Sequence, residues 1–260
     1  MLDRIVLGVL RSAPPAAVDR SRRLPLLAPV LKAGVNVLAW PLLGKEVVIR
    51  EGEAAGLRLR VDRASVMWAT GRVELPVQRA LAGLLAPGDV CFDVGANVGF
   101  YTLLAARIVG PEGRVVAFEP HPENVAALER NVQANGLSNV VVVPKAVSAA
   151  SGEARLAGGD RATAHLDADR GRPVETVSLD EFVAAWPALA PAVVKIDVEG
   201  HELEVLEGAR RTLEAGRPAL VCEQHGRAGA VVAALTPLGY ACRPVEGAPA
   251  SATHLVATAP

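Results

Sequence analysis

The spacing of apolar residues along the chain changes period more than once, and each change marks a different kind of element. Leu57, Leu59 and Val61 alternate with Arg58 and Arg60, and Val47-Val48-Ile49 precedes them across Glu51-Gly52-Glu53. That period of two predicts an antiparallel hairpin with Leu57, Leu59 and Val61 on its buried face. From Val73 to Leu85 the apolar positions recur at helical spacing, and Pro87-Gly88 stops the run. A regular rhythm follows, with strands over 89–92, 113–118 and 140–143 and helices over 98–109 and 122–135 between them. Strands alternating with helices of that length are crossover units, which build a doubly wound α/β sheet. Ligands on such sheets sit at the carboxyl ends of the strands.

Between Ser148 and Arg172 the rhythm lapses, and Gly152, Gly158, Gly159 and Gly171 are mixed with small and charged residues. This segment reads as a surface excursion near the mouth of the site rather than as sheet core, with His165 a candidate substrate contact. Strands are predicted again over 174–177, 192–196, 219–222, 240–243 and 253–257, with helices over 201–213 and 228–238. The chain contains no internal repeat.

Ahead of the hairpin, Leu24 to Leu43 is apolar apart from Lys32 and Asn36 and follows Arg20, Arg22 and Arg23. Pro25, Pro29 and Pro41 fall inside it, and each would free backbone groups that lipid cannot satisfy. A helical and hairpin appendage over residues 1–70 is therefore expected, with contact to a membrane surface as the alternative, and a catalytic domain over 71–260. The formal charge of the 260 residues is -1, from 27 basic and 28 acidic side chains, so no global footprint for a polyanion exists. With only 3% aromatic residues there are few platforms on which bases could stack, and no nucleic-acid partner is expected. Cys91, Cys222 and Cys242 are widely spaced without a C-x-x-C pair, which points to reduced thiols in a cytoplasmic protein and away from zinc.

The chemistry centres on Asp93-Val94-Gly95-Ala96-Asn97-Val98-Gly99, a turn between a predicted strand and a predicted helix. Gly95 and Gly99 permit a tight turn and close approach of a ligand to the backbone, and the helix after them offers its amino end. Asn97 and Phe100 occupy two of the three glycine positions of a dinucleotide fingerprint, which counts against an NAD-dependent oxidoreductase. Asp93 would repel a pyrophosphate but attract an α-ammonium group. At the end of the next strand stands Glu119, twenty-four residues after Gly95, where an acidic residue accepts hydrogen bonds from ribose hydroxyls. A nucleoside with an amino acid attached satisfies both, as in S-adenosylmethionine.

That turn and strand end keep specific company: Phe100-Tyr101-Thr102, Ala117-Phe118-Glu119-Pro120, Asn131, Asn135, Lys195-Ile196-Asp197-Val198-Glu199-Gly200-His201-Glu202, Pro218 and Glu223. In combination they resemble the FkbM family of S-adenosylmethionine-dependent methyltransferases over roughly residues 70 to 224. The resemblance implies a class I methyltransferase fold, a seven-stranded Rossmann-like sheet whose last strand is antiparallel. It further implies methyl transfer to a hydroxyl of a sugar, glycolipid or polyketide-type natural product, a small-molecule or glycan acceptor. The cofactor set expected from it is Asp93, Gly95, Asn97, Gly99, Tyr101 and Thr102 at the turn, Glu119 and Pro120 after the second main strand, Ala146, and Asp197. A non-catalytic or RNA-binding relative of the fold is the other alternative to an enzyme.

An acceptor hydroxyl needs its proton removed as it attacks, and Asp197, His201, Glu223 and His225 follow two neighbouring strands. An imidazole of ordinary pKa suits neutral pH better than a carboxylate, which favours His201 or His225 as base, with Glu223 orienting the acceptor or the imidazole. Asp197 then anchors cofactor or acceptor, and buried Lys195 pairs with a carboxylate. Glu199 and Glu202 stabilise the start of the following helix. No metal ligand is assigned, although Asp197, Glu199 and Glu202 are oxygen donors of the kind magnesium accepts.

Overall fold

The computed structural model of the chain describes residues 40–62, 65–158, 164–167, 169–226, 228–247 and 253–260, so the expected helical appendage before Trp40 lies outside the described residues. The hairpin is Glu46–Val48 (β1) against Arg58–Arg60 (β2), antiparallel with Val47 opposite Leu59. Leu57, Leu59 and Val61 are buried, as their alternation requires. Next come Leu75–Leu84 (α1), Val90–Val94 (β3), Phe100–Val109 (α2), Arg114–Phe118 (β4), Pro122–Ala134 (α3) and Val140–Val143 (β5). Ala146–Val147 (β6), Gly152–Ala157 (β7), His165–Asp167 (β8) and Arg172–Val177 (β9) follow. The remainder is Leu179–Ala185 (α4), Val193–Ile196 (β10), Glu202–Glu207 (α5), Arg210–Gly216 (α6), Ala219–Gln224 (β11), Ala228–Leu235 (α7), Ala241–Pro244 (β12) and Thr253–Thr258 (β13).

The main sheet has seven strands in the order β12-β13-β11-β10-β3-β4-β5. From β11 to β5 neighbouring strands are parallel, while β13, the last strand of the chain, runs antiparallel to both of its neighbours. Both faces of the sheet are covered, which is why its strands read as continuous apolar runs rather than alternating ones. One face packs against the hairpin, α1 and α2 through Leu59, Leu81, Leu103 and Leu104. The hairpin thus shares a core with the sheet. The opposite face gathers Phe92, Phe118 and Phe182 edge to face at 5.1–5.6 Å, with Val205, Leu213 and Val231 from the helices beyond.

Two expectations need correction. The excursion from Ser148 to Arg172 is not loop alone: β7 and β8 join β6 and β9 in a second, four-stranded sheet, order β6-β9-β7-β8. Its glycines were read as loop punctuation, but a Cβ on Gly171 would run into the carbonyl of Leu156, so that glycine lets β9 approach β7. The predicted strand at 174–177 belongs to this second sheet. The expected helix over 201–213 is two helices, because Gly208 sits hard against the carbonyl of Ser148 and the chain restarts as α6. The Asp180 carboxylate caps that restart, accepting from the backbone N–H of Arg211 at 2.9 Å and of Thr212 at 2.7 Å.

Side chains tie the turn after β3 to its surroundings. Asn131 of α3 donates to the carbonyl of Val98 and accepts from the N–H of Arg60, both at 2.8 Å, so one amide joins the turn, α3 and the hairpin. Asn135 makes the same kind of bridge to Arg58. At Gly95 (φ 79°) a Cβ would strike the carbonyl oxygen of Asp197, and at Gly99 (φ 92°) it would strike Leu128. Both glycines are demanded by protein against protein, not only by a ligand. We predict that Gly95→Ala lowers unfolding stability by at least about 2 kcal/mol with nothing bound, the cost of a left-handed non-glycine residue plus displacement of the β10 end. Chemical denaturation of the ligand-free variant checks this, and unchanged stability would contradict the packing account.

Candidate active site

The carboxyl ends of β3, β4, β10 and β11 converge on one edge of the sheet, and the second sheet overhangs it. Between them lies a cleft open to solvent. Its floor is Gly95 and Asn97 from the turn, with Glu119 and Pro120 after β4. Phe118, Val147, Leu156 and Leu166 supply apolar walls, and Asp197, Glu199 and His201 form the end above β10. Of the expected site residues, the cleft brings together Gly95, Asn97, Glu119, Pro120, Ala146, Asp197 and His201. Asp93, Gly99, Tyr101, Thr102, Glu223 and His225 are not in its lining; all but Gly99, which packs on Leu128, form a polar layer beside and beneath it.

Two residues of the cleft wall, Asn97 (φ 51°) and Glu199 (φ 50°), hold left-handed backbone without being glycine. Asparagine tolerates that conformation and glutamate does so at a cost, so the chain carries strain where the turn and the β10 end face the cleft. The Glu119 carboxylate, buried at the floor, accepts from the N–H of Asn97 and of His121, both at 2.8 Å, and from the Asn124 amide at 3.3 Å. Burial raises its pKa, and those hydrogen bonds act in the other direction. A carboxylate has about four lone-pair sites, so one remains toward the cleft. The Asn97 side-chain oxygen is buried there without a hydrogen-bond partner.

Beneath the cleft, Asp93 accepts from the Thr102 hydroxyl at 2.6 Å and faces the Lys195 ammonium at 3.4 Å. Lys195 also lies 3.3 Å from Asp197 and 5.0 Å from the centre of the Tyr101 ring. The expected pull of Asp93 on a ligand ammonium is therefore exerted on Lys195. Burial works against that ammonium, but Asp197 and Asp93 outweigh it and hold its pKa above the ordinary lysine value.

Behind Asp197 the network continues. Tyr101 donates to Glu74 at 2.8 Å, and His254 stands 3.3 Å from Glu223 and 3.9 Å from Glu74. His225 meets Glu202 through Nδ1 at 2.8 Å, and Glu199 and Glu223 through Nε2 at 3.4 and 3.5 Å. Burial pushes Glu74 up to about 7, with help from Glu223 and Asp197. Burial also opposes ionisation of Glu223, yet His254, His225 and Lys195 bring its pKa down to about 2. For His225 burial favours the neutral ring, and the bond to Glu202 with the charges of Glu223 and Glu199 overrides it, raising the pKa to about 9. Among the described residues, Glu74, Glu223 and His254, and likewise Asp197, Glu223 and His225, bring three ligand atoms within 4.8 Å. In each set the imidazole already faces the carboxylates.

His201 is placed apart from this network, with Nε2 2.9 Å from the Ser148 hydroxyl and Nδ1 3.6 Å from Glu204. Sequence reasoning missed Glu74, whose burial no periodicity signals, Ser148, whose meeting with His201 depends on the chain leaving β6, and Glu204, which stands one turn from His201 on α5. His254 pairs with Glu223.

The residues fit a nucleoside carrying a charged side chain: apolar walls for a base, the spare lone pair of Glu119 for a ribose hydroxyl, and the unsatisfied Asn97 oxygen and Asp197 carboxylate for donors. Comparison with known proteins agrees with that fit. Residues 93–241 match the family model described as the methyltransferase FkbM domain. The hexuronic acid methyltransferase AglP of Haloferax volcanii is 31% identical, the match covering 65% of this chain and 70% of the relative. The 31-O-demethyl-FK506 methyltransferase FkbM of Streptomyces tacrolimicus is 32% identical, over 60% of this chain and 74% of the relative. The crystal structure of methyltransferase FkbM from Methylobacillus flagellatus KT has 18% identity and a TM-score of 0.49, covering 76% of this chain and 55% of that one.

The site carries a stability signature. A histidine whose pKa is raised on folding from 6.5 to about 9 stabilises the fold fully below pH 6.5, and that contribution is lost as pH rises through about 9. The melting temperature is therefore expected to fall between pH 6.5 and 9, and His225→Gln to flatten that fall. Thermal denaturation across the range checks it; an equally steep decline in the variant would show that His225 is not the group responsible.

Proposed function

The chain belongs to the FkbM family of S-adenosylmethionine-dependent methyltransferases, and on that premise we propose that its acceptor is a hydroxyl group, on a sugar, glycolipid or polyketide-type natural product. Membership of this family displaces the oxidoreductase alternative. The observation that carries the reading is the composition of the cleft end above β10, where Asp197, Glu199 and His201 stand together. Carboxylates accept hydrogen bonds from polyhydroxylated ligands, and an imidazole can take a hydroxyl proton. The names of the two relatives, one acting on a hexuronic acid and one on 31-O-demethyl-FK506, support oxygen-rich acceptors of this kind. We assign the catalytic domain to residues 71–260, with the hairpin as its amino-terminal flank.

S-adenosylmethionine, when bound, supplies a methyl group on a positively charged sulfur, which needs no further activation. The chain's own residues then have two tasks. The first is to hold the donor: Glu119 toward the ribose, Asn97 and Gly95 along the turn, Pro120 and Ala146 beside the base, and Asp197 toward the charged end. Asp93, Tyr101 and Thr102 support it indirectly, through Lys195 and α2. The second is to bring an acceptor oxygen to the reacting carbon in line and at contact distance, where proximity alone contributes several kcal/mol, roughly 7–11 in the best cases. Asp197 and Glu199 orient that oxygen; Lys195 holds Asp197, and His225 holds Glu199 from behind.

Two measurements test this. Incubation with methyl-labelled S-adenosylmethionine and a panel of sugars, sugar acids, glycolipids and polyketide alcohols should yield a product heavier by one methyl group, placed on oxygen by fragmentation mass spectrometry. Methylation of carbon or nitrogen instead would refute the hydroxyl assignment. Glu119→Ala should weaken S-adenosylmethionine binding ten- to over a hundredfold, from loss of a charge-assisted bond of roughly 1.5–3 kcal/mol. Calorimetry giving wild-type affinity in that variant would remove Glu119 from the donor site.

A further inference from the structure

Three histidines, His201, His225 and His254, stand at or behind the cleft end, and their surroundings differ in kind. Both ring nitrogens of His225 face carboxylates: Nδ1 meets Glu202, and Nε2 meets Glu199 and Glu223. A ring so placed carries a proton on each nitrogen and has no lone pair to offer. It also does not line the cleft. His254 is 3% exposed and directed at Glu223 and Glu74, so an acceptor cannot reach it.

His201 is the opposite case. It lines the cleft and caps α5, with Nε2 2.9 Å from the Ser148 hydroxyl. On the other side of the ring, Glu204 stands 3.6 Å from Nδ1, an electrostatic rather than a hydrogen-bonded distance. That carboxylate favours the proton on Nδ1, which leaves the Nε2 lone pair toward the hydroxyl. Among the described residues, ionisable groups that share this part of the wall are Asp197 and Glu199 after β10, Glu204 on α5 and His165 on β8. The three carboxylates stabilise a positive charge on the ring as it forms.

Resting on the reading of the cleft as a methyl-transfer site, we propose that His201 is the base that receives the acceptor's proton, that Glu204 is the positioning residue that sets its tautomer, and that Ser148 holds the place of the acceptor hydroxyl. In the reaction the acceptor hydroxyl replaces that of Ser148 at Nε2. Its oxygen bonds to the methyl carbon while the carbon–sulfur bond breaks with its electron pair going to sulfur, and the hydroxyl proton passes to Nε2. The products are a methyl ether, S-adenosylhomocysteine and an imidazolium, which returns its proton to water. Glu204, one turn along α5, acts only through the ring.

Nuclear magnetic resonance of the ligand-free protein tests the ring directly. At pH 7, His201 is expected with its proton on Nδ1 and Nε2 bare, and Glu204→Gln should shift the tautomer ratio toward the other nitrogen and lower the ring's pKa. In single-turnover methyl transfer to the panel alcohol that becomes labelled, His201→Gln should slow the step at least tenfold with donor affinity retained, and should abolish the fall in rate toward acid pH. Glu204→Gln should lower kcat more than it changes KM and move that acid limb. A protonated Nε2 at pH 7, or an acid limb that survives in His201→Gln and vanishes in His225→Gln, would overturn the assignment. If no panel alcohol is labelled, the hydroxyl acceptor fails, and the resonance result still decides the state of the ring.

Discussion

The ammonium group of Lys195 is the fixed point around which the carboxyl edge of the sheet is arranged. A buried cation without partners costs several kcal/mol, on the order of what a whole domain has to spare, so its position dictates that of its neighbours. Asp93 lies directly opposite it in the register of β3 and β10, Asp197 follows two residues later, and the carbonyl of Gly95 is 3.5 Å away. Strand, turn and cleft wall are thereby locked to one charge. Thr102 extends the lock to α2 through Asp93, and Tyr101 extends it to Glu74. The turn after β3 and the β10 end of the cleft keep their spacing because both lean on Lys195.

Among the described residues around that point, carboxylates outnumber cations. Glu74, Asp93, Asp197, Glu199, Glu202 and Glu223 surround Lys195, His225 and His254 in one connected network. Part of the excess is absorbed at Glu74, whose pKa burial raises to about 7, and burial raises that of Asp197 as well. What remains is negative potential at the cleft end where a positively charged donor would sit. Charges fixed in advance by packing need no rearrangement when the substrate arrives, which is how an electrostatic site gains rate rather than only affinity. The same network holds His225 as a structural cation, whereas His201 meets the Ser148 hydroxyl.

The fold was legible because it is written in period and length. Val90 to Val94, Val115 to Phe118 and Val193 to Ile196 are apolar runs of strand length separated by helical stretches, and buried parallel strands admit few other sequences. Gly95, Asn97, Glu119 and Asp197 were legible because each ends or follows a strand, where chain order fixes position. The second sheet was not, because its glycines serve close strand pairing in Gly171 and turns elsewhere, and sequence does not separate these uses. The partner of Asp93 was also hidden: a carboxylate before a glycine turn suits a ligand ammonium and a lysine ammonium equally, and only the register of β10 decides. The roles of the two histidines turned on Glu199, Glu202 and Glu204, three carboxylates within six residues whose directions depend on a left-handed Glu199.

On the proposed reading, the cleft between the turn after β3 and the ends of β4 and β10 holds the methyl donor, with its reacting end toward Asp197 and His201. A crystal structure of the chain with S-adenosylhomocysteine tests this most directly. The ribose hydroxyls are predicted within hydrogen-bonding distance of Glu119, the base against Phe118, Val147 and Leu156, and the sulfur nearer Asp197 than Glu119. A ligand bound elsewhere, or in this cleft with its sulfur at the Glu119 end, would contradict the account.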